Sequence, residues 1–430
     1  MKPIPAPTEP NLKKIILIGL IGNVMEWYDF AVYGYFAAVI GRLFFPGNDP
    51  NVSLIASFGA FAAGFLVRPL GGLVFGRIGD RIGRQKAMSL SVLAMAIPTV
   101  LMASMPTYQE IGIWAPIGLI LLRIIQGLSV GGEFTSSLVY LTENAPQNRR
   151  AFTAVWGSWG ATAGILIGST VGLVVSNLLP EPKIIAWGWR LPFVMGGLIA
   201  LIGWWIRRDT EADLPVQAAK APVQHLFRQH KRDVLRVILL NIGSGVAFYT
   251  AFIYAVTYIR NIDDMPEGVA LEVNSFAMLV LLIILPLSAW LSDHLGRRPL
   301  LILGSGSVML LSVPIFMLLH SSNSLHILIG EVLFAVLVGI TNGAIVAYNV
   351  ELMPSAVRCT GLALAYNIAI GVFGGTTPMI AALLISQSGN PLAPAFWMSG
   401  AAFISLCVIL FWAEETHRKP LHHSAGHGEK

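Results

Sequence analysis

Six charged or amide side chains lie within stretches of this sequence that are otherwise apolar. They are Glu26 and Asp29 in the first stretch, Arg68 in the second, and Arg123, Gln126 and Glu133 in the fourth. An ionised side chain at the centre of a bilayer costs at least ~2.5 kcal/mol on insertion scales, so such residues are rare and mark pathways for ions or solutes. These six residues are therefore candidates for binding a proton or a charged substrate.

The first stretch concentrates polar groups on one side of a predicted helix. Glu26 and Asp29 are three positions apart, so they share a helix face, and Tyr33 follows on the same face. Asn23 lies in the same run, one turn before Glu26. A helix of this kind turns two carboxylates toward its neighbours rather than toward lipid.

The fourth stretch offers partners for those carboxylates. Gln126 and Glu133 share a helix face, and Arg123 lies one turn from Gln126. Apolar surroundings favour a neutral carboxyl and an adjacent guanidinium favours a carboxylate, so a substrate anion that competes for the arginine would couple its own binding to that of a proton. The alternative is that these residues form fixed ion pairs that hold the helices together.

The second half of the chain is much poorer in buried charge and offers neutral polar groups instead. These candidate substrate contacts are Asn241, Tyr249, Tyr254, Asn342, Asn349 and Asn367. The first half is therefore predicted to carry the proton chemistry, and the second half to contribute neutral contacts to a solute.

The composition explains where these residues must reside. The chain has 430 residues, of which 55% are hydrophobic and 12% charged, whereas soluble domains carry about 25% charged residues. Too few charges remain to cover a soluble surface, so the sequence predicts an all-α integral membrane protein. The net charge of +5 is explained by basic residues in loops on one side of the membrane, and nucleic-acid binding is not expected.

Twelve apolar stretches have the length of about 20 residues that a helix needs to cross a bilayer. They lie near 15–38, 53–77, 87–106, 112–140, 152–177, 189–206, 234–258, 270–292, 299–319, 325–350, 360–386 and 393–413. We predict a six-helix half over 1–206, a cytoplasmic linker over 207–233, a second six-helix half over 234–413 and a cytoplasmic tail over 414–430. With both termini in the cytoplasm, nearly all basic loop residues fall inside, as the positive-inside rule requires.

Two loops recur at nearly the same offset in the two halves. The first loop holds Gly76, Asp80, Arg81, Gly83 and Arg84, and the second, 213 positions later, holds Asp293, Gly296, Arg297 and Arg298. A Glu-x-x-Pro sequence that begins at Glu143 also recurs at Glu351, 208 positions later. Internal repeats of this kind are typical of secondary transporters, which bind substrate between the repeats.

These loops resemble the signature of the major facilitator superfamily, G-x-x-x-D-R/K-x-G-R-R/K. Segments of the first half, such as 22–30 (GNVMEWYDF), 126–133 (QGLSVGGE) and 187–193 (WGWRLPF), are similar to the metabolite:proton symporters of that superfamily. The resemblance implies a major facilitator fold with a central cavity between two six-helix halves. It also implies that the charged loops gate that cavity.

Together with Glu26 and Asp29, the resemblance implies proton-coupled uptake by alternating access. The resemblance alone implies the substrate, a small organic acid or zwitterion of the proline, betaine, α-ketoglutarate or citrate type. A facilitator or exporter without proton symport, and a receptor that does not transport, remain alternatives. Small solutes, protons and lipid are the expected partners of a monomer in the cytoplasmic membrane. We expect no cofactor, no metal site and no enzymatic activity, since no phosphate-binding loop and no hydrolase motif occurs.

Overall fold

The computed structural model describes residues 12–72, 74, 84–208, 226, 228–262, 265–354 and 357–421. Within these ranges the protein is helical and contains no β-strand. The predicted all-α class is therefore confirmed for the described part of the chain.

The long helices follow one another in the predicted order. In the first half they are α1 (Leu12–Tyr35), α2 (Pro50–Gly72), α3 (Arg84–Ser104), α4 (Trp114–Glu143), α5 (Arg150–Leu178) and α6 (Arg190–Arg208). In the second half they are α7 (Lys231–Asn261), α8 (Glu267–Leu295), α9 (Arg297–Leu319), α10 (Ser324–Leu352), α11 (Arg358–Ser388) and α12 (Ala393–Phe411). The helices α7 and α11 each contain a π-helical segment, Thr250–Tyr254 and Ala369–Gly374 respectively.

Most of these helices can cross a bilayer. Among the described residues, nine helices are long and apolar enough, or ten if the bent pair Glu181–Gly188 and Arg190–Ile202 forms one span. The remaining two long helices are α1 and α3, so the helix order is consistent with twelve spans. The protein is an integral membrane protein with multiple spans.

Several helix boundaries follow from local sequence. Asp49 caps α2 by accepting a hydrogen bond from the backbone N of Asn51 at 2.8 Å, and Pro50 occupies the first helical position. Asn323 caps α10 in the same way. Gly296 separates α8 from α9 with φ of 105°, a conformation that residues with a Cβ rarely adopt.

Glycines recur every four residues in α5, at Gly160, Gly164, Gly168 and Gly172, and they let two helices approach closely within the first half. A Cβ at Gly160 would lie 2.7 Å from the carbonyl oxygen of Leu20, and one at Gly164 would lie 2.3 Å from that of Val24. Both contacts are with α1, so at these two glycines the groove packs within the first half. Only the last member, Gly172, faces the second half, at Leu271 of α8.

The two ends of the helix bundle contain different kinds of contact between helices. We call the end at which α1 begins and α12 finishes the terminal face, and the opposite end the far face. At the far face, Tyr35 donates a hydrogen bond to the carbonyl of Phe252 at 3.1 Å and accepts one from Asn274 at 2.9 Å. These bonds join the end of α1 to α7 and α8, so the two halves are in contact there.

Candidate functional site

The carboxylate of Asp29 lies at the centre of a buried polar network that joins α1, α3 and α4. Arg123 Nη1 lies 3.4 Å from Asp29 Oδ2, which also accepts a hydrogen bond from Gln126 Nε2 at 2.8 Å. Thr99 donates to Asp29 Oδ1 at 2.7 Å, and Gln126 Oε1 accepts from Arg123 at 2.8 Å. All four side chains are buried, so the charge of Asp29 is balanced by protein groups alone.

Glu26 forms a second buried ion pair, with Arg68 of α2. Both side chains are 2% exposed. The Arg68 guanidinium also lies over aromatic rings, 4.5 Å from the ring centre of Phe65 and 4.8 Å from that of Phe30. Cation–π contacts of this kind strengthen when they are desolvated, so the rings help to hold Arg68 in place.

Aromatic side chains hold the first pair in the same manner. The Arg123 guanidinium lies 4.4 Å from the ring centre of Tyr33 and 4.7 Å from that of Phe30. Tyr33 is oriented by the hydrogen bond that it donates to the carbonyl of Ser57 at 3.1 Å. Phe30 thus separates two arginine–carboxylate pairs, which makes the predicted residues of α1, α2 and α4 one continuous cluster.

Two other predicted residues of the first half have different positions. Asn23 donates hydrogen bonds to Ser137 at 3.1 Å and to the carbonyl of Gly157 at 3.2 Å, so it ties α1 to α4 and α5. Glu133 follows a break in α4 at Gly131 and Gly132. The side chain of Glu133 lies outside the described part of the structure.

A central cavity lies between the two halves. Helices α1, α4 and α5 line it from one side, and α7, α8, α10 and α11 from the other. Five aromatic side chains contribute to the lining, namely Trp27, Phe134, Phe248, Tyr249 and Tyr366. Among the described residues, no charged side chain lines the cavity.

Four of the six residues predicted in the second half line this cavity. Asn241 and Asn349 exchange two side-chain hydrogen bonds of 2.9 and 3.0 Å. Asn342 accepts a hydrogen bond from Ser244 at 2.9 Å, and Tyr249 lies opposite Trp27 with ring centres 6.2 Å apart. The cavity therefore has an amide-rich wall from α7 and α10 that faces aromatic side chains.

The other two predicted residues lie outside the cavity lining. Tyr254 packs against Phe58 of α2, with ring centres 6.1 Å apart, on the side toward the far face. Asn367 donates hydrogen bonds to the carbonyls of Gly131 and Ala363. The bond to Gly131 joins α11 to the break in α4, so Asn367 contacts the other half rather than the cavity.

Two residues that line the cavity carry buried hydrogen-bond donors without a partner in the described part of the chain. Trp27 Nε1 and Tyr249 Oη are both buried, and neither has a hydrogen-bond partner among the described residues. Buried donors in native proteins are nearly always satisfied, and an exception requires an explanation. An acceptor on a bound solute would satisfy both. Sequence reasoning missed Trp27, although its place directly after Glu26 on a helix with two carboxylates was a usable signal.

A charged network at the terminal face joins the two halves. Asp293 accepts hydrogen bonds from the backbone N of Ala151 and Phe152 at 3.0 and 2.9 Å, at the start of α5. Arg297 bonds to Asp293 at 2.8 Å and to Glu351 at 3.1 Å. The second-half copy of the repeated loop therefore reaches into the first half. In the first-half copy, Gly76, Asp80, Arg81 and Gly83 lie outside the described residues, and Arg84 begins α3.

The segment after α12 adds to this network. Glu415 accepts hydrogen bonds from the backbone N of Arg297, Arg298 and His417 at 2.8–3.0 Å. Burial raises the pKa of Glu415, but these donors outweigh it, and its pKa lies below the ordinary value for glutamate. Arg150 of the first half donates to the carbonyl of Lys419 at 2.6 Å, so the tail also bridges the halves.

Glu331 of α10 is a buried carboxyl outside these networks. It is fully buried, and neither oxygen has a hydrogen-bond partner among the described residues. Glu331 does not line the central cavity, and it does not belong to the networks described above.

Comparison with known proteins identifies relatives along nearly the whole chain. A sequence profile of the Major Facilitator Superfamily matches residues 20–375. The glycine betaine/proline/ectoine/pipecolic acid transporter OusA of Dickeya dadantii is 36% identical over 428 residues, which are 96% of this chain and 85% of the relative. The proline/betaine transporters of Salmonella typhimurium and Escherichia coli K12 are 34% and 33% identical over 427 residues, with the same coverage.

Solved structures of similar fold include proton symporters for sugars. The proton:xylose symporter XylE, bound to 6-bromo-6-deoxy-D-glucose, superposes with a TM-score of 0.77 at 16% identity, covering 95% of this chain and 97% of that one. The fucose:proton symporter FucP of E. coli superposes with a TM-score of 0.61 at 15% identity, covering 93% and 99%. At these identities the likeness concerns the fold, and it confirms the predicted fold class.

Proposed function

Since the chain belongs to the major facilitator superfamily, we propose that it is a proton-coupled symporter that takes up a small zwitterion of the proline and betaine type by alternating access. The chain is a transporter and not an enzyme, as its family and its relatives indicate. The proposal narrows the expected substrates. The central cavity favours a zwitterion over α-ketoglutarate or citrate.

The lining of the cavity carries this choice of substrate. A dicarboxylate or tricarboxylate would leave water for a cavity whose described lining has no cation, at a high desolvation cost. A zwitterion has no net charge. Its carboxylate can accept from Trp27 Nε1 and Tyr249 Oη, and its ammonium group can lie against aromatic faces, which attract quaternary and other organic cations.

The two buried ion pairs support proton coupling. Asp29 and Glu26 lie beside Arg123 and Arg68, and each carboxylate can exist as a neutral acid when it is protonated. Protonation of Asp29 would remove the charge that Arg123 balances and weaken the bonds that join α1 to α4. We propose that this loosening lets the halves rock with solute bound only when a proton is bound as well, whereas the carrier returns without either, which couples the movement of the proton to that of the solute.

The placement in the membrane follows from the basic loops. We propose that the terminal face lies in the cytoplasm and that the protein acts as a monomer in the cytoplasmic membrane, with lipid around it. We further propose that 1–206 and 234–413 move as the two halves, with 207–233 as linker and 414–430 as tail. The charged network around Asp293 and Arg297 would then be the inner gate, and Gly296 and Arg298 would shape it.

Uptake into proteoliposomes tests the proposal. With a pH gradient, acid outside, we expect accumulation of labelled proline or glycine betaine above the outside concentration, and no accumulation of α-ketoglutarate or citrate. A protonophore should reduce the accumulated solute to equilibration. Accumulation that survives the protonophore would contradict proton symport, and equilibration without accumulation in either condition would favour a facilitator.

Replacing Tyr249 by phenylalanine is expected to weaken solute binding. The variant removes one donor to the solute carboxylate, and hydrogen bonds to charged groups contribute about 1.5–3 kcal/mol, which corresponds to a rise in KM of roughly 10- to 100-fold. The measurement is the concentration dependence of uptake. Tyr254→Phe is the matched control, because Tyr254 lies outside the cavity lining. Equal KM values for the two variants would contradict a role for Tyr249 in binding.

A further inference from the structure

A second, narrower cavity lies inside the first half, between α1, α3 and α6. Its walls are formed by Gly22, Met25, Glu26, Asp29, Ser91, Met95, Ala96, Thr99, Gly196 and Ala200. Most of these side chains are small, and the cavity exists because no large side chain fills the space between the three helices. Both carboxylates of the buried ion pairs line it.

The two cavities share no lining residue within the described part of the chain. Trp27 lines the central cavity, whereas its neighbours Glu26 and Asp29 line the second one. The carboxylates therefore lie behind Trp27 as seen from the solute, and Arg68 and Arg123 line neither cavity. A proton that left Asp29 through the central cavity would have to pass the aromatic side chains and the bound solute.

The second cavity extends from the carboxylates toward the terminal face. Asp29, Thr99 and Gly196 form the end deeper in the membrane. Gly22 and Ser91 lie about two turns, and Ala200 about one turn, nearer the terminal ends of their helices. Two turns correspond to a distance of about 11 Å along a helix. The cavity thus covers part of the distance between Asp29 and the face that we place in the cytoplasm.

Hydroxyl groups along this cavity provide partners for water. Thr99 bonds directly to Asp29 at 2.7 Å, and Ser91 donates to the carbonyl of Ser129 at 2.6 Å nearer the terminal face. Water in a protein interior requires polar partners of this kind. The remaining walls are apolar, so the cavity offers a narrow route past few polar groups.

We propose that this second cavity is the path by which the proton leaves the carboxylates toward the terminal face, separate from the path of the solute. In the release step, the O–H bond of the Asp29 carboxyl breaks and a water in the cavity forms a new O–H bond, becoming hydronium, while the electron pair stays on the carboxylate. No redox partner is needed. The inference rests on the proposed proton symport and adds a route for the proton.

Filling the second cavity tests this path. Ala96→Leu and Ala200→Leu add three carbon atoms from α3 and from α6 to a narrow space, and we expect each to reduce proton-driven accumulation about tenfold or more, since interiors tolerate little added volume without closing voids. Exchange of labelled for unlabelled solute across the membrane needs no net proton release, so it should stay within about twofold of the unmodified protein. Ala94→Leu, on α3 but half-buried and outside the cavity, is the matched control and should retain both activities.

The readouts separate the possible outcomes. Retained exchange shows that a variant is folded and binds solute, and two variants on different helices guard against the loss of one of them to misfolding. Normal accumulation in both filled variants, or a parallel loss of exchange and accumulation in both while Ala94→Leu is unaffected, would overturn the proposed path. If solute addition to the unmodified protein moves no protons, as reported by a pH-sensitive dye inside the vesicles, the proposed symport fails rather than the path.

Discussion

Asp29→Asn is expected to abolish accumulation driven by a pH gradient while solute exchange continues. The amide has nearly the same shape as the carboxyl and can still accept the hydrogen bond from Thr99, but it cannot bind and release a proton. The variant resembles a transporter that is permanently protonated. Such a transporter can exchange solute across the membrane, but it cannot release its proton and then return without solute. Glu26→Gln is expected to have the same effect, because Glu26 forms the second buried pair.

Accumulation ratios in proteoliposomes measure this effect. The ratio of inside to outside solute should not exceed one in either variant, because a carrier that cannot release its proton cannot move solute against its gradient. Glu331→Gln is the matched control, since it also neutralises a buried carboxyl but one that lies in neither cavity and in no ion pair among the described residues. Full accumulation by Asp29→Asn and Glu26→Gln would contradict the role of these pairs, as would an equal loss in Glu331→Gln.

Asp29→Asn also leaves Arg123 without its carboxylate, which provides a second, independent readout. Breaking a buried ion pair typically destabilises a protein by about 3–5 kcal/mol. The loss should be smaller here, because Gln126 continues to accept a hydrogen bond from Arg123 and the Tyr33 ring continues to stack on it. A thermal melt in detergent separates a stable, uncoupled variant from an unfolded one.

The sequence was sufficient to predict the charged cluster but not its pairing. The cost of buried charge singles out Glu26, Asp29, Arg68 and Arg123 without any structure. Which arginine meets which carboxylate depends on how far α2 and α4 are rotated and shifted against α1. That arrangement is set by packing contacts, such as the close approach of Gly64 to the carbonyl of Arg123, which have no signature in helix periodicity.

The lining of the central cavity could be predicted only in part, for a related reason. In α7, Asn241 and Tyr249 line the cavity while Tyr254, five positions after Tyr249, does not. Tyr254 lies within the π-helical segment Thr250–Tyr254, more than one turn nearer the far face than Tyr249. The depth at which the cavity ends depends on the packing of α2 against this segment, which helix periodicity does not reveal.

The repeated loops illustrate what duplication does and does not reveal. The recurrence of Asp80 as Asp293 predicted matching positions at the ends of two helices. It did not reveal that Asp293 accepts hydrogen bonds from the start of α5, which is a contact between distant parts of the chain. Such a contact depends on tertiary packing, whereas the recurrence depends on local sequence alone.

Arg297→Gln is expected to open the terminal face and to reduce accumulation severely. Arg297 is 1% exposed and bonds to both Asp293 and Glu351. Its removal leaves Asp293 without a cation among the described residues and leaves Glu351 with only Arg150, whose Nη1 lies 3.8 Å from Glu351 Oε1. A loss of this kind costs about 3–5 kcal/mol. Only the conformation with a closed terminal face suffers this loss, since opening returns both carboxylates to water. The equilibrium should therefore shift toward the open state by two to three orders of magnitude, at about 1.4 kcal/mol for each factor of ten.

Labelling of a cysteine in the central cavity measures this shift. Ser158 lines the cavity, and Ser158→Cys in a background without Cys359 and Cys407 should react faster with a membrane-impermeant thiol reagent applied from the terminal face when Arg297→Gln is present. Arg298→Gln is the matched control, because the Arg298 guanidinium donates to the carbonyls of Ile409 and Leu410 rather than to carboxylates. Both variants remove one positive charge from adjacent positions. A difference between them therefore reports the loss of the Arg297 ion pairs and not a general change in the loop. Equal labelling in the two variants would mean that the ion pairs of Arg297 do not hold the gate closed.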